Sequence, residues 1–288
     1  MKGNGQKRLE NVKIIMQADS GKEENPRRSE EVIMKWRIVN QYAELSRLAA
    51  EMVAEQVRNK PTSVLGLATG STPIGMYGEL SEMVRRGEIS LKGVTTFNLD
   101  EYIGLTPDHP QSYHYYMNEH LFSKVDLLPE NRHIPYAEKG EFSDEECKAC
   151  EEYDRLIEER GGIDLQILGI GHNGHIGFNE PSLSLEVGTH VVALTEETRE
   201  ANARFFRSIE EVPTHAITMG VGSIMKAKRI LLLVSGADKK EVLARLYAEG
   251  VTTELPASLL HLHPDVTVIA DQEAAGWLPV AEIAKEET

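Results

Sequence analysis

Cysteine is nearly missing from this chain: two occur among 288 residues, both in Cys147-Lys-Ala-Cys150. That scarcity excludes a disulfide framework, and a zinc site would need a second ligand pair that is not there. A thioredoxin-type pair would follow a strand at a helix start, whereas this one lies inside a charged helical stretch, so no role is assigned to it. Positive charge is also short, with 31 Lys and Arg against 46 Asp and Glu and a net charge of −15. Such a field argues against a nucleic-acid partner, and it means that an anionic substrate must be held by particular local cations. No apolar run reaches the roughly 18 residues of a membrane helix, and the N-terminus lacks a signal-type apolar segment. The expectation is a cytoplasmic protein with no membrane partner. Internal repeats and low-complexity tracts are absent as well. What remains is ordinary apolar content, 41% of the chain, enough for the core of one large α/β domain.

Residues 1–33 carry clustered charge, Gly, Asn and Pro without sustained periodicity, and read as a disordered extension that the working protein does not need. From Met34 the text changes, so 34–288 is expected to form a single domain. Lys35 to Val39 reads as a strand. Tyr42, Leu45, Leu48, Ala49, Met52, Val53 and Val57 then trace one helical face. Further strands are expected at Val64–Ala68, Val94–Asn98, His133–Tyr136, Leu165–Ile170, His190–Leu194, His215–Met219, Ile230–Val234 and Val266–Ala270. Helical patterns at about 73–87, 111–123, 143–160, 196–208 and 238–249 lie between most of them, the alternation of a mostly parallel sheet covered on both faces.

The apolar run Leu165 to Ile170 leads into a loop where Gly169, Gly171, Gly174 and Gly177 alternate with His172, Asn173, His175, Asn179 and Glu180. So little side-chain bulk lets a ligand approach the backbone, and two imidazoles and a carboxylate supply proton-transfer groups at the end of a strand. Three other readings compete. Gly169-x-Gly171-x-x-Gly174 matches a dinucleotide fingerprint, but Glu180-Pro181 interrupts the helix that motif needs. His172, His175 and Glu180 could hold a metal, yet no HExxH spacing is present. The loop could also be a plain glycine-rich turn.

Three more places bear on the choice. In Ala68-Thr69-Gly70-Ser71-Thr72-Pro73 a strand ends and a helix begins, with Pro73 expected at its first position. Free amides, the helix dipole and hydroxyls there converge as a phosphate cradle, although the Gly-Lys-Ser/Thr ending of a Walker loop is missing. The same residues also suit an ordinary helix cap. Asp100-Glu101 follows a central strand among Phe97, Leu99 and Tyr102, where an apolar surround suits a general base, while adjacent acids also serve turns and caps. Arg204 and Lys239 can each reach the same sheet edge. Either alone reads as a solvated charge, but with the cradle they make the phosphate site that a negative protein needs.

Together these stretches resemble the glucosamine-6-phosphate deaminases, also called isomerases. The resemblance runs from about Met34 to about Ala275. It rests on Ala68-Thr-Gly-Ser-Thr-Pro73, Thr96-Phe-Asn-Leu-Asp-Glu-Tyr-Ile-Gly-Leu105, Gln111-Ser-Tyr113, Gly169-Ile-Gly-His-Asn-Gly-His-Ile-Gly-Phe-Asn-Glu-Pro181, Thr198-Arg-x-x-Asn-x-Arg-Phe-Phe206 and Pro256-Ala-Ser-x-Leu-x-x-His263. It implies a Rossmann-like three-layer α/β/α sandwich with a mostly parallel sheet, shared with 6-phosphogluconolactonases and ribose-5-phosphate isomerases. It also implies conversion of glucosamine 6-phosphate and water to fructose 6-phosphate and ammonia in amino sugar catabolism, without metal or organic cofactor.

Carried over motif by motif, the resemblance makes Asp100 the base that moves a proton between C2 and C1. It makes His175 the acid that opens the sugar ring, Glu180 the partner of His175, and Asn173 a site residue that is aspartate in some relatives. Arg204 and Lys239 become the phosphate cations beside Thr69, Gly70, Ser71 and Thr72. Some relatives are activated by an acetylated amino sugar phosphate through an arginine and a lysine just after Asn-Glu-Pro. His190 and Val192 stand there in this chain, so activation by that route is not expected. Two rivals remain: a 6-phosphogluconolactonase, which needs no base after the second strand, and a non-catalytic sugar-phosphate sensor, which would need a DNA-binding module larger than residues 1–33. The expected partner is a small sugar phosphate, and a homo-oligomer stays open.

Overall fold

Short aliphatic runs and amphipathic stretches become strands and helices in turn in the computed structural model of the chain. It describes residues 34–136, 144–203, 206–280 and 283, with backbone alone at 144–147, 197, 201 and 202. The extension expected over 1–33 and the cation Arg204 lie outside the described residues. The elements are β1 (Lys35–Val39), α1 (Tyr42–Asn59), β2 (Val64–Leu67), α2 (Ile74–Arg85), β3 (Thr95–Asn98), β4 (Asp100–Tyr102), α3 (Tyr113–Met117), β5 (Arg132–His133), α4 (Asp144–Glu159), β6 (Leu165–Leu168), β7 (His190–Ala193), α5 (Glu196–Ala203), β8 (His215–Thr218), α6 (Val221–Met225), β9 (Ile230–Val234), α7 (Lys240–Ala248) and β10 (Val266–Asp271).

Seven strands form one sheet in the order β1-β10-β9-β6-β2-β3-β5, with every neighbouring pair parallel. Every residue of β2, β3, β6, β9 and β10 is buried, as it must be where helices cover both faces of a sheet. On α1 the buried face runs through Leu45, Ala49, Val53 and Val57, a four-residue spacing that keeps one stripe on the sheet. Each fully buried aliphatic side chain of this core contributes roughly 1.5–3 kcal/mol. The amino-terminal edge is tied by Asp164, which accepts hydrogen bonds from Lys60 Nζ at 2.6 Å, Lys228 Nζ at 2.7 Å and the Val64 amide at 2.8 Å.

The strand order sets the position of the site. From β2 the chain moves to β3 and β5 on one side, and β6, paired with β2 through Leu65 and Leu165, begins the progression to β9 and β10 on the other. The connections leaving the carboxyl ends of β2 and β6 therefore diverge, and such a switch point opens a crevice.

A second sheet departs from the expected single layer. β4, β8 and β7 pair antiparallel, with Asp100 opposite Thr218 and Thr218 opposite His190. The strands at His190 and His215 read from sequence as members of the alternating parallel series. β7 is only half-buried while β8 beside it is buried beyond His215, so the open face of this sheet lies at its β7 edge. Asp100–Tyr102, expected to be loop, is a strand too short for periodicity to reveal. The helix expected over 111–123 is the five-residue α3 followed by a π-helical turn, Asn118–Phe122.

Candidate active site

Four loops meet at the carboxyl edge of the large sheet, after β9, β6, β2 and β3, which lie side by side in that order. After β2, Gly70 takes φ +93° and turns the chain into α2. Pro73, expected at the first helical position, is instead the N-cap one residue before it, and the first turn of α2 holds no acid to repel an anion. The Ser71 and Thr72 amides donate to no protein group among the described residues. Free amides at the start of a twelve-residue helix are the kind of donors an anion site uses.

The loop after β6 has no helix behind it, which removes the dinucleotide reading; the next regular element is β7. Within it His175 Nδ1 lies 3.2 Å from Glu180 Oε2, and the same oxygen accepts from Asn173 Nδ2 at 2.6 Å. Asn173 Oδ1 in turn accepts from the His175 amide at 3.2 Å. The other oxygen, Glu180 Oε1, accepts from the Thr198 hydroxyl at 2.5 Å. Burial pushes the Glu180 carboxyl upward, but the donors from His175, Thr198 and Asn173 outweigh it and hold the group below its ordinary value. A carboxylate on Nδ1 fixes the imidazole and leaves Nε2 for a ligand. The ring lies against the backbone at Gly171, where a Cβ would stand 2.3 Å from it.

Asp100 and Glu101 divide the two readings of an acidic pair between them. Glu101 takes the capping part, beside the N-cap Ser112 of α3: its Oε1 accepts from the amides of Tyr102 at 2.8 Å and Tyr113 at 2.9 Å, and its Oε2 accepts from the His114 amide at 3.0 Å and contacts His114 Nδ1 at 2.9 Å. Asp100 is 6% exposed, and its carboxylate has no hydrogen-bond donor among the described residues. Burial first, and the neighbouring Glu101 charge second, raise its pKa to about 8. Gly177, at φ +60°, brings the histidine loop against this group: a Cβ there would lie 2.8 Å from the Thr218 hydroxyl and 3.7 Å from Asp100 Oδ2. The Phe178 amide donates to Thr218 Oγ1 at 3.1 Å, which fixes the approach. Tyr102, Tyr113 and Phe178 wall this side with aromatic rings, Tyr113 and Phe178 stacked at 6.2 Å.

After β9, the turn Ala237–Lys239 carries Lys239. Asp271 anchors this loop, accepting from Ser235 Oγ at 2.5 Å and from the Gly236 amide at 3.2 Å. Asp238 joins it to the histidine loop through His172 Nε2 at 2.7 Å. His172 therefore faces Asp238 while His175 faces Glu180, so the three candidate metal ligands do not converge. Among the described residues no cluster of three or more His, Cys, Asp or Glu could hold a metal. Arg204 cannot be placed, since it lies outside the described residues. Three contributions escaped the sequence reading: Thr198 holding Glu180, Thr218 beside Asp100, and the His172–Asp238 link. Only Thr198 had a signal, its place at the head of Thr198-Arg-x-x-Asn-x-Arg.

Comparison with known proteins shows the family. Residues 40–269 match the model of a family described as glucosamine-6-phosphate isomerases/6-phosphogluconolactonase. A glucosamine-6-phosphate deaminase of Thermoanaerobacter pseudethanolicus is 56% identical over 254 residues, 88% of this chain and 99% of that one. A solved structure of a monomeric glucosamine-6-phosphate deaminase is 47% identical and superposes with a TM-score of 0.80 over 84% of this chain and 99% of that one. A 6-phosphogluconolactonase of Thermotoga maritima, 20% identical, shares the fold with a TM-score of 0.64 over 83% of this chain and 100% of that one.

Proposed function

The chain belongs to the family of glucosamine-6-phosphate isomerases and 6-phosphogluconolactonases and acts as a glucosamine-6-phosphate deaminase, and we propose that Asp100, His175, Glu180 and Asn173 carry its chemistry while the loop after β2 grips the phosphate. The reaction joins glucosamine 6-phosphate and water and releases fructose 6-phosphate and ammonia. The observation that carries the assignment of roles is Asp100, a buried carboxylate without donors beside the histidine loop.

Only the open-chain sugar has an acidic proton at C2, so a donor must first protonate the ring oxygen. His175 is placed for this, with Glu180 on Nδ1 stabilising the charged ring and Asn173 and Thr198 holding Glu180 in turn. Asp100 then takes the C2 proton and returns it to C1 on the same face while one amine proton passes to the C1 oxygen, so that the C1 aldehyde becomes an alcohol and the C2 amine an imine. Water adds at C2, and the carbon–nitrogen bond breaks to release ammonia. A carboxylate starved of donors is a stronger base than an ordinary one, which suits a weakly acidic carbon proton. Each proton-transfer group of this kind contributes about 10²–10⁴-fold.

Thr69, Gly70, Ser71 and Thr72 supply amides and hydroxyls for the phosphate, with Lys239 and Arg204 as the cations that offset the protein's net charge. Gripping the far end of the substrate turns remote binding energy into positioning at C1 and C2. The working domain is residues 34–288. The enzyme acts in the cytoplasm, because a sugar phosphate does not cross a membrane unaided; no helix among the described residues is long and apolar enough to span one. Activation through the segment after Pro181 is not part of this reading. His190 there turns its Nδ1 to the Gly188 carbonyl at 3.0 Å, and Val192 carries no charge.

The test is ammonia release from glucosamine 6-phosphate, run beside galactosamine 6-phosphate and 6-phosphogluconolactone. Ammonia from the first is expected to exceed that from the second, with no hydrolysis of the third. Hydrolysis of the lactone together with silence on both amino sugars would overturn the assignment.

A further inference from the structure

Two tyrosines outside the four loops hold the phosphate cradle from behind. Tyr116, on α3, donates its hydroxyl to the Gly70 carbonyl at 2.6 Å. Tyr42, at the start of α1, places its hydroxyl 3.2 Å from the Ser71 carbonyl and 3.1 Å from the Thr72 carbonyl, and it accepts from the Gly75 amide at 2.8 Å. A trans peptide points its carbonyl and its N–H in opposite directions. Pinning the Gly70 carbonyl to Tyr116 therefore turns the Ser71 N–H the other way, and pinning the Ser71 carbonyl to Tyr42 does the same for the Thr72 N–H. Neither of these amides donates to a protein group among the described residues.

The turn needs such a hold. Gly70 sits in the left-handed region with open space where a Cβ would be, so no side chain of its own anchors the peptide planes. Free, a Gly-Ser peptide rotates easily, and each rotation would aim a carbonyl at the phosphate. The two tyrosines come from different elements, and α3 is itself capped by Glu101, the neighbour of Asp100. One short helix thus spans the base at one end of the substrate and the phosphate turn at the other.

We propose that Tyr116 and Tyr42 are positioning residues for the substrate's phosphate, orienting the Ser71 and Thr72 amides without touching the ligand. This rests on the reading of residues 69–72 as the phosphate cradle. The phosphate stays bound through every step, so its loss should weaken binding of all states alike, raising KM more than it lowers kcat.

The experiment uses the full chain with Tyr116→Phe, Tyr42→Phe and the double variant, beside Lys239→Ala and a Tyr115→Phe control. It measures KM and kcat for glucosamine 6-phosphate, the inhibition constant of inorganic phosphate, and the melting temperature. Each phenylalanine keeps the ring and removes only the hydroxyl. KM and the phosphate constant should rise together by about two- to tenfold per variant, the scale of one neutral hydrogen bond, and further in the double variant. kcat should change by less than about twofold on the same argument, and the control should match the wild type. If Lys239→Ala raises both constants and the tyrosine variants raise neither, the cradle reading stands and the tyrosine inference fails. A lowered melting temperature with an unmoved phosphate constant would also overturn it, since the hydroxyls would then serve packing alone. If phosphate fails to compete in the wild type and Lys239→Ala leaves KM unchanged, the cradle reading itself falls and takes the inference with it.

Discussion

Asp100 and Glu180 are both carboxylates with little exposure at one edge of one sheet, yet their surroundings push them apart. Glu180 receives hydrogen bonds from His175, Asn173 and Thr198, and these hold its pKa down against its burial. Asp100 receives none among the described residues, and burial with the Glu101 charge raises its pKa to about 8. Donors, more than depth, separate the two. A carboxylate wrapped in donors is a fixed counter-ion that steadies a charged imidazole, and one without them is a base. The amino-acid types alone say nothing of this division.

The largest expected effect breaks the pair at Asp100. Asp100→Asn keeps size and polarity but removes the base, so kcat should fall by at least about 10²-fold while glucosamine 6-phosphate still binds, as calorimetry would read. The histidine side is separated by substrate rather than by rate. A 5-deoxy ketose 6-phosphate lacks the hydroxyl that closes the ring and needs no acid to open it. Deuterium uptake at its C1 should survive His175→Gln and vanish in Asp100→Asn. The reverse pattern would show that the roles are exchanged.

A smaller loss is expected at Glu180. Glu180→Gln keeps an acceptor for Thr198 but no charge for the His175 ring, so turnover of the closed sugar should drop by roughly 10–100-fold, on the scale seen when a group that orients a ligating or catalytic histidine is lost. Exchange in the 5-deoxy ketose should stay near the wild-type rate. Equal losses on both substrates would mean that Glu180 acts on the C2 proton as well.

How far each carboxylate could be read from the sequence follows the same division. His175 and Glu180 are five residues apart in a glycine-rich loop, and local spacing of that kind is legible without a structure. Lys239 was placed correctly after β9, because a long buried strand announces its own end. Asp100 was legible as a residue but not as an environment. Its exposure depends on β4, a three-residue strand, and on Thr218, more than a hundred positions away and paired to it across an antiparallel ladder. The second sheet was missed because β4 is too short to show a period, and without it β7 and β8, both read as strands, had no antiparallel partner to separate them from the parallel series. The roles of Tyr42 and Tyr116 were hidden differently: each looks like an ordinary helix residue until the turn at Gly70 is folded against it.

Stability should show the opposite signs of the two shifts. Asp100 has its folded pKa raised from 3.8 to about 8, so in that window the native chain keeps a proton that the unfolded chain has lost, and stability falls as pH rises through it. Asp100→Asn removes the penalty and should make the protein more resistant to urea than wild type at pH above 8, with the gap closing toward pH 4. For Glu180 the folded value is lowered, so its contribution is present above its ordinary value and disappears as pH falls through the folded one. Glu180→Gln should therefore weaken the protein at neutral pH and approach wild type in acid. Urea midpoints across pH would read both, and the same sign for the two variants would break the comparison.

The finest effect concerns Glu101, the carboxylate that is neither base nor counter-ion to His175. It touches Asp100 only through charge, as the second cause of the raised pKa, while its oxygens cap α3. Neutralising it should let Asp100 ionise more readily, so the rise of kcat/KM with pH that reports Asp100 in the free enzyme should move to lower pH in Glu101→Gln. The displacement should be a fraction of the whole, because burial is the larger cause. Reading the difference between variant and wild type cancels the titration of the substrate's own amine, which is common to both. Glutamine still offers one oxygen to the Tyr113 amide, and a melting temperature measured alongside shows whether α3 has kept its cap. A limb that stays in place while α3 remains capped would mean that burial alone sets Asp100, and that the acid beside it serves the helix and nothing else.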